Sequence, residues 1–355
     1  MARLHDLAIR RKFYVIGQYL VSNSYSESED ILDVTNSVSN ELASLFKSSS
    51  TTVSTINDGL ENVYSMINEN LSGAKAITGT PTGFEKIDSK SGGLQRSDLI
   101  IIAGETSQGK TSLAVSIMRN AADFGAKIAM YSMEMKKEQI TARILSMESG
   151  VSANQIMYSR LTDSQLQAVD KGIGKISGKG IYFDDRSTSN IDTIISSIRY
   201  MKLKYGIDGA IVDYLQILNV NMKGANKEQQ MGDVARRLKN LAKELDIWII
   251  ALSQLNRDTM NPVPTLARLR DSGQIAEAAD VVILIYRPEV TKKSYPSDFS
   301  NVETKGTAMI DIAKGRNIGL LRFICGFNAA TCFYNLDSVP LSGWQHADIE
   351  DENPF

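Results

Sequence analysis

At 355 residues, with 43% hydrophobic and 23% charged side chains, the chain has the composition of a folded protein of about two domains. That balance excludes a largely disordered chain, a collagen or coiled-coil rod and a disulfide scaffold. The net charge of −2 argues against a protein that coats nucleic acid by bulk charge, so any nucleic-acid site has to be a local lining.

Apolar positions at helical spacing (Leu4, Leu7, Ile9, Phe13, Ile16, Leu20) predict a helix over residues 1–20. A second helical run covers about 27–47, the polar tract SSSTTVST breaks the pattern, and a third covers about 56–71. Residues 1–75 are helical, Ser-rich and poor in aromatic residues, so they read as an arm that packs on something else. From residue 79 the composition changes. TPTGFEKIDSKSGGLQRSD is turn-rich and leads into an apolar strand. Strands are then predicted at 98–103, 127–133, 181–184, 209–213, 247–253 and 281–286. Helices alternate with them at about 110–122, 136–148, 162–177, 191–204, 227–245 and 271–279. Several strands (IIIAG, IWIIALS, VVILIY) are near-continuous apolar runs, as expected when helices cover both faces of a parallel sheet. Residues 306–335 read as shorter, antiparallel strands. The predicted class is α/β: a mostly parallel sheet flanked by helices over 76–340, a helical N-terminal arm over 1–75, and an acidic tail over 341–355.

The segment GETSQGKT is an intact G-x-x-x-x-G-K-[ST] pattern between a predicted strand and a predicted helix. Gly104 and Gly109 let the backbone turn so that successive N–H groups point at phosphate oxygens. Lys110 places a charge on the β/γ-phosphates, and the Thr111 hydroxyl is a Mg²⁺ ligand. Thr106, Ser107, Gln108 and Ser112 complete the predicted nucleotide cradle, at a helix N-terminus that favours an anion. A phosphate cradle alone is not an engine. Hydrolysis needs a second carboxylate on the metal side and a base for water. Asp213 closes the apolar strand of DGAIVDYLQIL and suits the metal side. Glu134 lies just beyond the strand of KIAMYSMEM, and its plainer reading is a solvated residue opening the next helix. Gln254 leaves the strand of IIALSQLNR, where an amide can sense the γ-phosphate or simply lead into a loop. All three stand at strand ends, which in a parallel sheet line the ligand crevice. Lys314 and Arg316, two apart, share one face if they lie on a strand. They read either as a solvated basic edge or as cations for a neighbour's triphosphate.

Taken together, PTGFEKID, GGLQRSDLIIIAG, GETSQGKTSLA, YSMEM, VDYLQIL, RLKNLAKEL, ALSQLNR, LRDSG, EAADVVILIYR and IAKGRN resemble, in order and spacing, the DnaB-type replicative helicases over about residues 79–335. The resemblance implies a RecA-like P-loop ATPase fold and a homo-hexameric ring. It further implies ATP with Mg²⁺ at subunit interfaces and 5′ to 3′ movement along single-stranded DNA. It makes Glu134 the catalytic base, Asp213 the Mg²⁺-side acid and Gln254 the γ-phosphate sensor. Lys314 and Arg316 become fingers inserted into the neighbouring subunit's site. Arg270, Asp271 and Gly273 of LRDSG, which alone read as a helix start with its own ion pair, become the loop that grips the DNA backbone. Family members carry a helical N-terminal collar that meets primase. Here the chain begins at what resembles that collar's last helices, with the linker helix that docks on the next motor within about 56–71. Helicase loader, primase or other replisome proteins are the implied partners. The rival readings are a RecA/RadA-like recombination or repair ATPase and a ring-forming adaptor that binds ATP without unwinding.

Only two cysteines, Cys325 and Cys332, are present, and they read as free buried thiols in a reducing compartment. With His5 and His346 alone there is no metal-ligand spacing. No apolar run is long enough to span a membrane, and the start of the chain lacks the apolar core of a signal peptide. The expected location is the cytoplasm, in a bacterial or phage setting. The tail DIEDENPF reads as a solubilising segment. It also resembles the acidic, Phe-terminated tails by which bacterial single-stranded-DNA-binding proteins dock partners.

Overall fold

The computed structural model describes the chain except residues 1, 26–29, 48–54, 72–77, 185–189, 219–226, 257, 259, 332 and 336–355. Side chains are likewise described except at 2–9, 31–32, 40, 43–47, 58, 62, 66, 69–71, 227, 270–273 and 333–335. Cys332 and the tail expected to dock partners therefore lie outside the described residues. Two units emerge: Met1–Ala76 with Asp192–Tyr200, and Ile77–Ile191 with Met201–Phe355.

The first unit contains α1 (Ala2–Asn23), α2 (Ile31–Lys47) and α3 (Ile56–Leu71). α1 and α2 pack on each other, with Ile16 and Val34 buried. On α3, Ile56, Leu60, Val63, Tyr64 and Ile67 are exposed at helical spacing, an apolar stripe open to solvent.

In the second unit α4 (Glu85–Ser91) precedes β1 (Leu99–Gly104) and α5 (Lys110–Asp123). Then follow β2 (Ile128–Ser132), α6 (Lys137–Ser149), α7 (Ala153–Tyr158), α8 (Asp163–Ile176) and β3 (Ile181–Asp184). α9 (Ile191–Tyr205) is shared between the units and leads to β4 (Gly209–Asp213), α10 (Lys227–Leu245) and β5 (Trp248–Gln254). A 3-10 segment (Leu266–Ser272) runs into α11 (Gly273–Ala278) and β6 (Val281–Tyr286). α12 (Pro288–Thr291), β7 (Thr307–Gly315), β8 (Leu321–Asn328) and β9 (Phe333–Asn335) complete the order.

The nine strands form one sheet, β3-β2-β4-β5-β1-β6-β7-β8-β9. It is parallel from β3 to β6, as the apolar runs predict, and antiparallel beyond, as expected; β7 and β8, at 9 and 8 residues, are however longer than the parallel strands and not shorter. Ile100, Ile102, Ile250 and Leu252 pack with Leu113 and Ile117 of α5 in one core. Met231, Val234, Ala235, Leu238, Leu241 and Ala242 bury the inner stripe of α10. Gly209 has to be glycine: a Cβ there would lie 2.1 Å from the Trp248 ring, its partner across β4 and β5.

The turn-rich stretch before β1 also contains α4, a helix not read from the sequence, whose start is fixed by Asp88. That carboxylate, 7% exposed, accepts from Thr82 N, Thr82 Oγ1 and Gly83 N, an internal anchor with no simple sequence signature. The helix expected over about 271–279 is α11, and a 3-10 segment from Leu266 to Ser272, not read from the sequence, leads into it. Cys325 is buried, and burial pushes its thiol up to about 12, an unreactive side chain. Among the described residues no cluster of metal-ligating side chains occurs, and no helix is long and apolar enough to cross a membrane.

Candidate functional site

The loop 104–111 leaves the C-terminal end of β1, a central strand buried along its length, and enters α5. Gly109 stands at φ 94° and Ser107 at φ 66°, so the loop curls back on itself. The N-terminus of α5 has no side-chain cap, which leaves its first N–H groups facing outward. Lys110 folds over the loop and donates Nζ to Gly104 O and Glu105 O, both at 3.0 Å. Burial lowers its pKa, while Asp213, Glu134 and Glu105 oppose that effect.

Thr111 Oγ1 donates to Asp213 Oδ2 at 2.8 Å. Asp213 closes β4 and is 2% exposed. Burial raises its pKa to about 6 and the Glu134 charge adds to this, against the Thr111 hydrogen bond and the Lys110 and Arg143 charges. Glu134 lies two residues beyond β2, exposed, and accepts a hydrogen bond from the Tyr214 hydroxyl. β2 and β4 are paired as far as Ser132 and Asp213, which sets Glu134 beside the cradle. Gln254 ends β5 and donates Nε2 to Thr106 Oγ1 at 2.9 Å. Gln216 holds it in place, donating to Gln254 O at 3.0 Å and accepting from Gln254 N at 3.2 Å.

A cavity of about 340 Å³ gathers these groups. It is lined by Thr106, Ser107, Gly109, Lys110, Thr111, Ser112, Glu134, Asp213 and Gln254, with Arg143, Tyr214, Arg287, Phe327 and Ala329. Gln108 is different: its side chain is 2% exposed and its Oε1 accepts from Arg287 N at 2.6 Å. It braces the loop against the end of β6 and does not face the cavity. Arg287 in turn lies 3.8 Å above the Phe327 ring and donates to Ser107 O at 3.4 Å. Sequence reasoning missed Arg143, Tyr214, Gln216, Arg287 and Phe327. The strand-end rule that found Asp213 and Gln254 also finds Arg287, because β6 ends at Tyr286.

Lys314 and Arg316 are not part of this cavity. β7 runs antiparallel to β6, with Lys314 opposite Val282 and Gly315 opposite Val281, so the two cations sit at the other end of the sheet. At ~3.3 Å per residue along the strands, Lys314, level with Ile101, is roughly 10 Å and Arg316, level with Leu99, roughly 17 Å from the Gly104 end that carries the cradle. The strand ends at Gly315, so Arg316 lies just past it. Neither cation is a free basic edge: Lys314 Nζ donates to Ala276 O (2.6 Å), Ala279 O (2.7 Å) and Glu277 O (3.2 Å). Arg316 donates to Glu277 O at 2.9 Å and pairs with Asp280 at 3.3 Å. Arg270, Asp271 and Gly273 span the junction of the 3-10 segment and α11, with their side chains outside the described residues.

A strand, an anion-cradling loop, a helix N-terminus and a buried carboxylate on a neighbouring strand together define a P-loop nucleotide-binding protein of the α/β class. Residues 79–335 match the DnaB-like helicase C terminal domain, and the chain belongs to that family. It is similar to the replicative DNA helicase DnaC of Bacillus subtilis, 30% identical over 88% of this chain and 69% of the relative. To the replicative DNA helicase DnaB of Geobacillus stearothermophilus it is 35% identical over 74% of this chain and 57% of the relative. The chain thus spans about three-fifths to two-thirds of the length of these relatives. Among solved structures, a DnaB-like replicative helicase described with its primase interactions superposes with a TM-score of 0.76. That match has 26% identity and covers 92% of this chain and 75% of the other.

Proposed function

We propose that the chain is the motor of a replicative DNA helicase, a hexameric ring that hydrolyses ATP between subunits and moves 5′ to 3′ on single-stranded DNA to part the duplex. One observation carries the reading: the cradle and the cations Lys314 and Arg316 occupy opposite ends of one sheet, so with these cations as fingers a complete hydrolytic site takes two chains. A ring or filament of like subunits supplies that pairing repeatedly.

ATP fits the cavity by the chemistry of its lining. Lys110 and the N–H groups at the start of α5 bind the phosphates, while Arg287 and Phe327 offer a flat platform for the base. Thr111 and Asp213 would hold Mg²⁺, which supplies positive charge to the phosphate oxygens when bound. Glu134, in the lining of the same cavity, would accept a proton from the attacking water, with Tyr214 orienting its carboxylate. Gln254, already bonded to Thr106, is placed to sense the terminal phosphate. Lys314 and Arg316 of one chain neutralise charge at the next chain's site, exchanging their α11 carbonyl contacts for phosphate oxygens. The segment around Arg270, Asp271 and Gly273 grips the DNA backbone, and the exposed stripe of α3 docks on a neighbouring motor. The similar helicase is described with primase, so primase and a helicase loader are the partners proposed here, with the cytoplasm as the setting.

ATPase activity with and without single-stranded DNA, measured alongside native mass and strand displacement, tests the reading. DNA-stimulated hydrolysis by hexameric rings that displace a strand supports it. Filaments on DNA point to a recombination ATPase, and nucleotide-bound rings without displacement point to an adaptor.

A further inference from the structure

Glu105, the first residue after Gly104 in the phosphate loop, has a role outside the cradle. Its side chain is 9% exposed and forms an ion pair with Arg268, whose side chain is 12% exposed. Arg268 lies in the 3-10 segment Leu266–Ser272, two positions before Arg270. The same guanidinium donates to Asn256 O, to Pro262 O at 3.2 Å and to Asn261 O at 3.4 Å. Glu105 Oε1 also accepts from Asp258 N at 3.2 Å. One buried pair therefore joins three pieces of chain: the phosphate loop, the stretch that follows Gln254, and the segment that leads to the proposed DNA grip.

Glu105 is also touched from the nucleotide side. Its carbonyl oxygen accepts Lys110 Nζ at 3.0 Å, and so does that of Gly104. A triphosphate in the cradle competes for this ammonium, because anionic oxygens are stronger acceptors than peptide carbonyls. When Lys110 turns to phosphate, the Glu105 carbonyl loses its shorter contact and keeps the longer one from Gln108 N at 3.4 Å, while its carboxylate keeps hold of Arg268. A charged pair buried this deeply does not separate readily, since either partner alone would be left uncompensated. The loop and the 3-10 segment consequently move together. The helix α11 that follows this segment is held at its own far end by Lys314 and Arg316, through the carbonyls of Ala276, Glu277 and Ala279.

We propose that the Glu105–Arg268 pair is the positioning link through which nucleotide in the cradle sets the placement of the DNA-gripping segment. This rests on the motor reading above and adds to it the residues that couple its two ligands.

The test uses the full chain, an oligo(dT) strand and Arg268→Gln. Hydrolysis without DNA and affinity for a fluorescent ATP analogue should stay near wild type. Stimulation of hydrolysis by oligo(dT) should fall about 3- to 30-fold, the range for residues that carry coupling. The difference in oligo(dT) affinity between the ATP-analogue and ADP states should shrink in step. Arg268→Lys, which keeps a cation beside Glu105 and a donor for the carbonyls around it, should recover part of both. Wild-type stimulation in Arg268→Gln overturns the link while leaving the motor intact. Loss of hydrolysis without DNA in Arg268→Gln also overturns it, because the pair then serves the fold or the cradle and not the coupling. A wild-type chain that oligo(dT) does not stimulate overturns the motor reading itself.

Discussion

The Thr111 hydroxyl donates to Asp213 Oδ2 at 2.8 Å across 102 positions of sequence, tying the first turn of α5 to the end of β4. The bond ties a hydroxyl to a carboxylate that burial holds up at about 6, and these are the two groups proposed above to hold the cation. Lys110 covers the same cavity from the other side.

From that arrangement Lys110→Ala should lose most nucleotide affinity along with hydrolysis, because the only charge on the phosphate loop facing the cavity is removed. Glu134→Gln should bind nucleotide normally, since its side chain is exposed and only its proton chemistry changes. Its kcat should drop about 10²- to 10⁴-fold. Equilibrium binding of a fluorescent ATP analogue beside steady-state hydrolysis checks both, and wild-type turnover in Glu134→Gln would remove the base assignment.

Arg316→Ala should leave nucleotide binding nearly intact and lower hydrolysis by about 10³-fold or more, as for a charge supplied across an interface. Mixed with Lys110→Ala chains it should regain some activity, because some junctions then pair an intact cradle with an intact finger. Native mass spectrometry of the mixture establishes that the rings are mixed. Mixed rings without any recovery would mean that the finger serves its own subunit, which the opposed ends of the sheet argue against.

Much of this was legible because the signals are local. The apolar runs gave β4 and β6 to the residue, and the periodicity of KEQQMGDVARRLKNLAKEL gave α10. Asp213, Glu134 and Gln254 stand out because each polar residue follows an apolar strand whose C-terminal end faces a ligand. α4 was hidden because its anchor, Asp88, is stabilised by three hydrogen bonds that no periodicity reports. Glu105 and Arg268 are 163 positions apart and each reads as an ordinary surface charge. Only the fold shows that both are buried. The same holds for Lys314 and Arg316, whose occupation by the end of α11 depends on a strand reversing direction.

Asp98 gives the chain a pH dependence of stability. Burial, then the neighbouring Asp280 charge, raises its pKa from 3.8 to about 6, against the attraction of Lys239 and Arg316. The folded state thus holds this proton more tightly than the unfolded chain does. Stability contributed by the protonated form is full below about pH 4 and is lost as pH rises to about 6. Two pKa units would be roughly 3 kcal/mol for a dry group, and about 1 kcal/mol once water screens a half-buried one. Asp98→Asn should therefore raise Tm by about 2–4 °C near pH 7.5 and leave it unchanged near pH 4. Thermal melts at the two pH values decide it, and an equal gain at both would assign the effect to packing instead.

DNA binding should favour single strands over duplex and weaken with salt, through a local lining in a chain of near-neutral net charge. Arg270→Ala should reduce affinity by a similar factor for every base sequence, since contacts to phosphate carry no base code. Fluorescence anisotropy with oligo(dT), oligo(dA) and mixed strands over a salt series measures this. A strong preference for one sequence, or a loss confined to one, would contradict a grip on the backbone.

Assembly is the last property the fold puts at stake. On α3, Ile56, Leu60, Val63, Tyr64 and Ile67 are between 47% and 77% exposed, an apolar row with intervals of three and four. Such a row on a water-facing helix is unfavourable unless another surface covers it, and burying each large side chain contributes about 1.5–3 kcal/mol. If that surface belongs to the next motor in the ring, Leu60→Asp should shift the chain toward monomers, because a charge at the centre of the row cannot be desolvated without a partner. Binding of an ATP analogue should survive, as the cradle lies wholly within one chain, while hydrolysis should fall with the loss of neighbouring fingers. Leu60→Met, which keeps the apolar contact, should assemble like wild type. Native mass and sedimentation at matched concentrations separate the cases, and Leu60→Asp chains that still form full rings would show that α3 is not the docking helix.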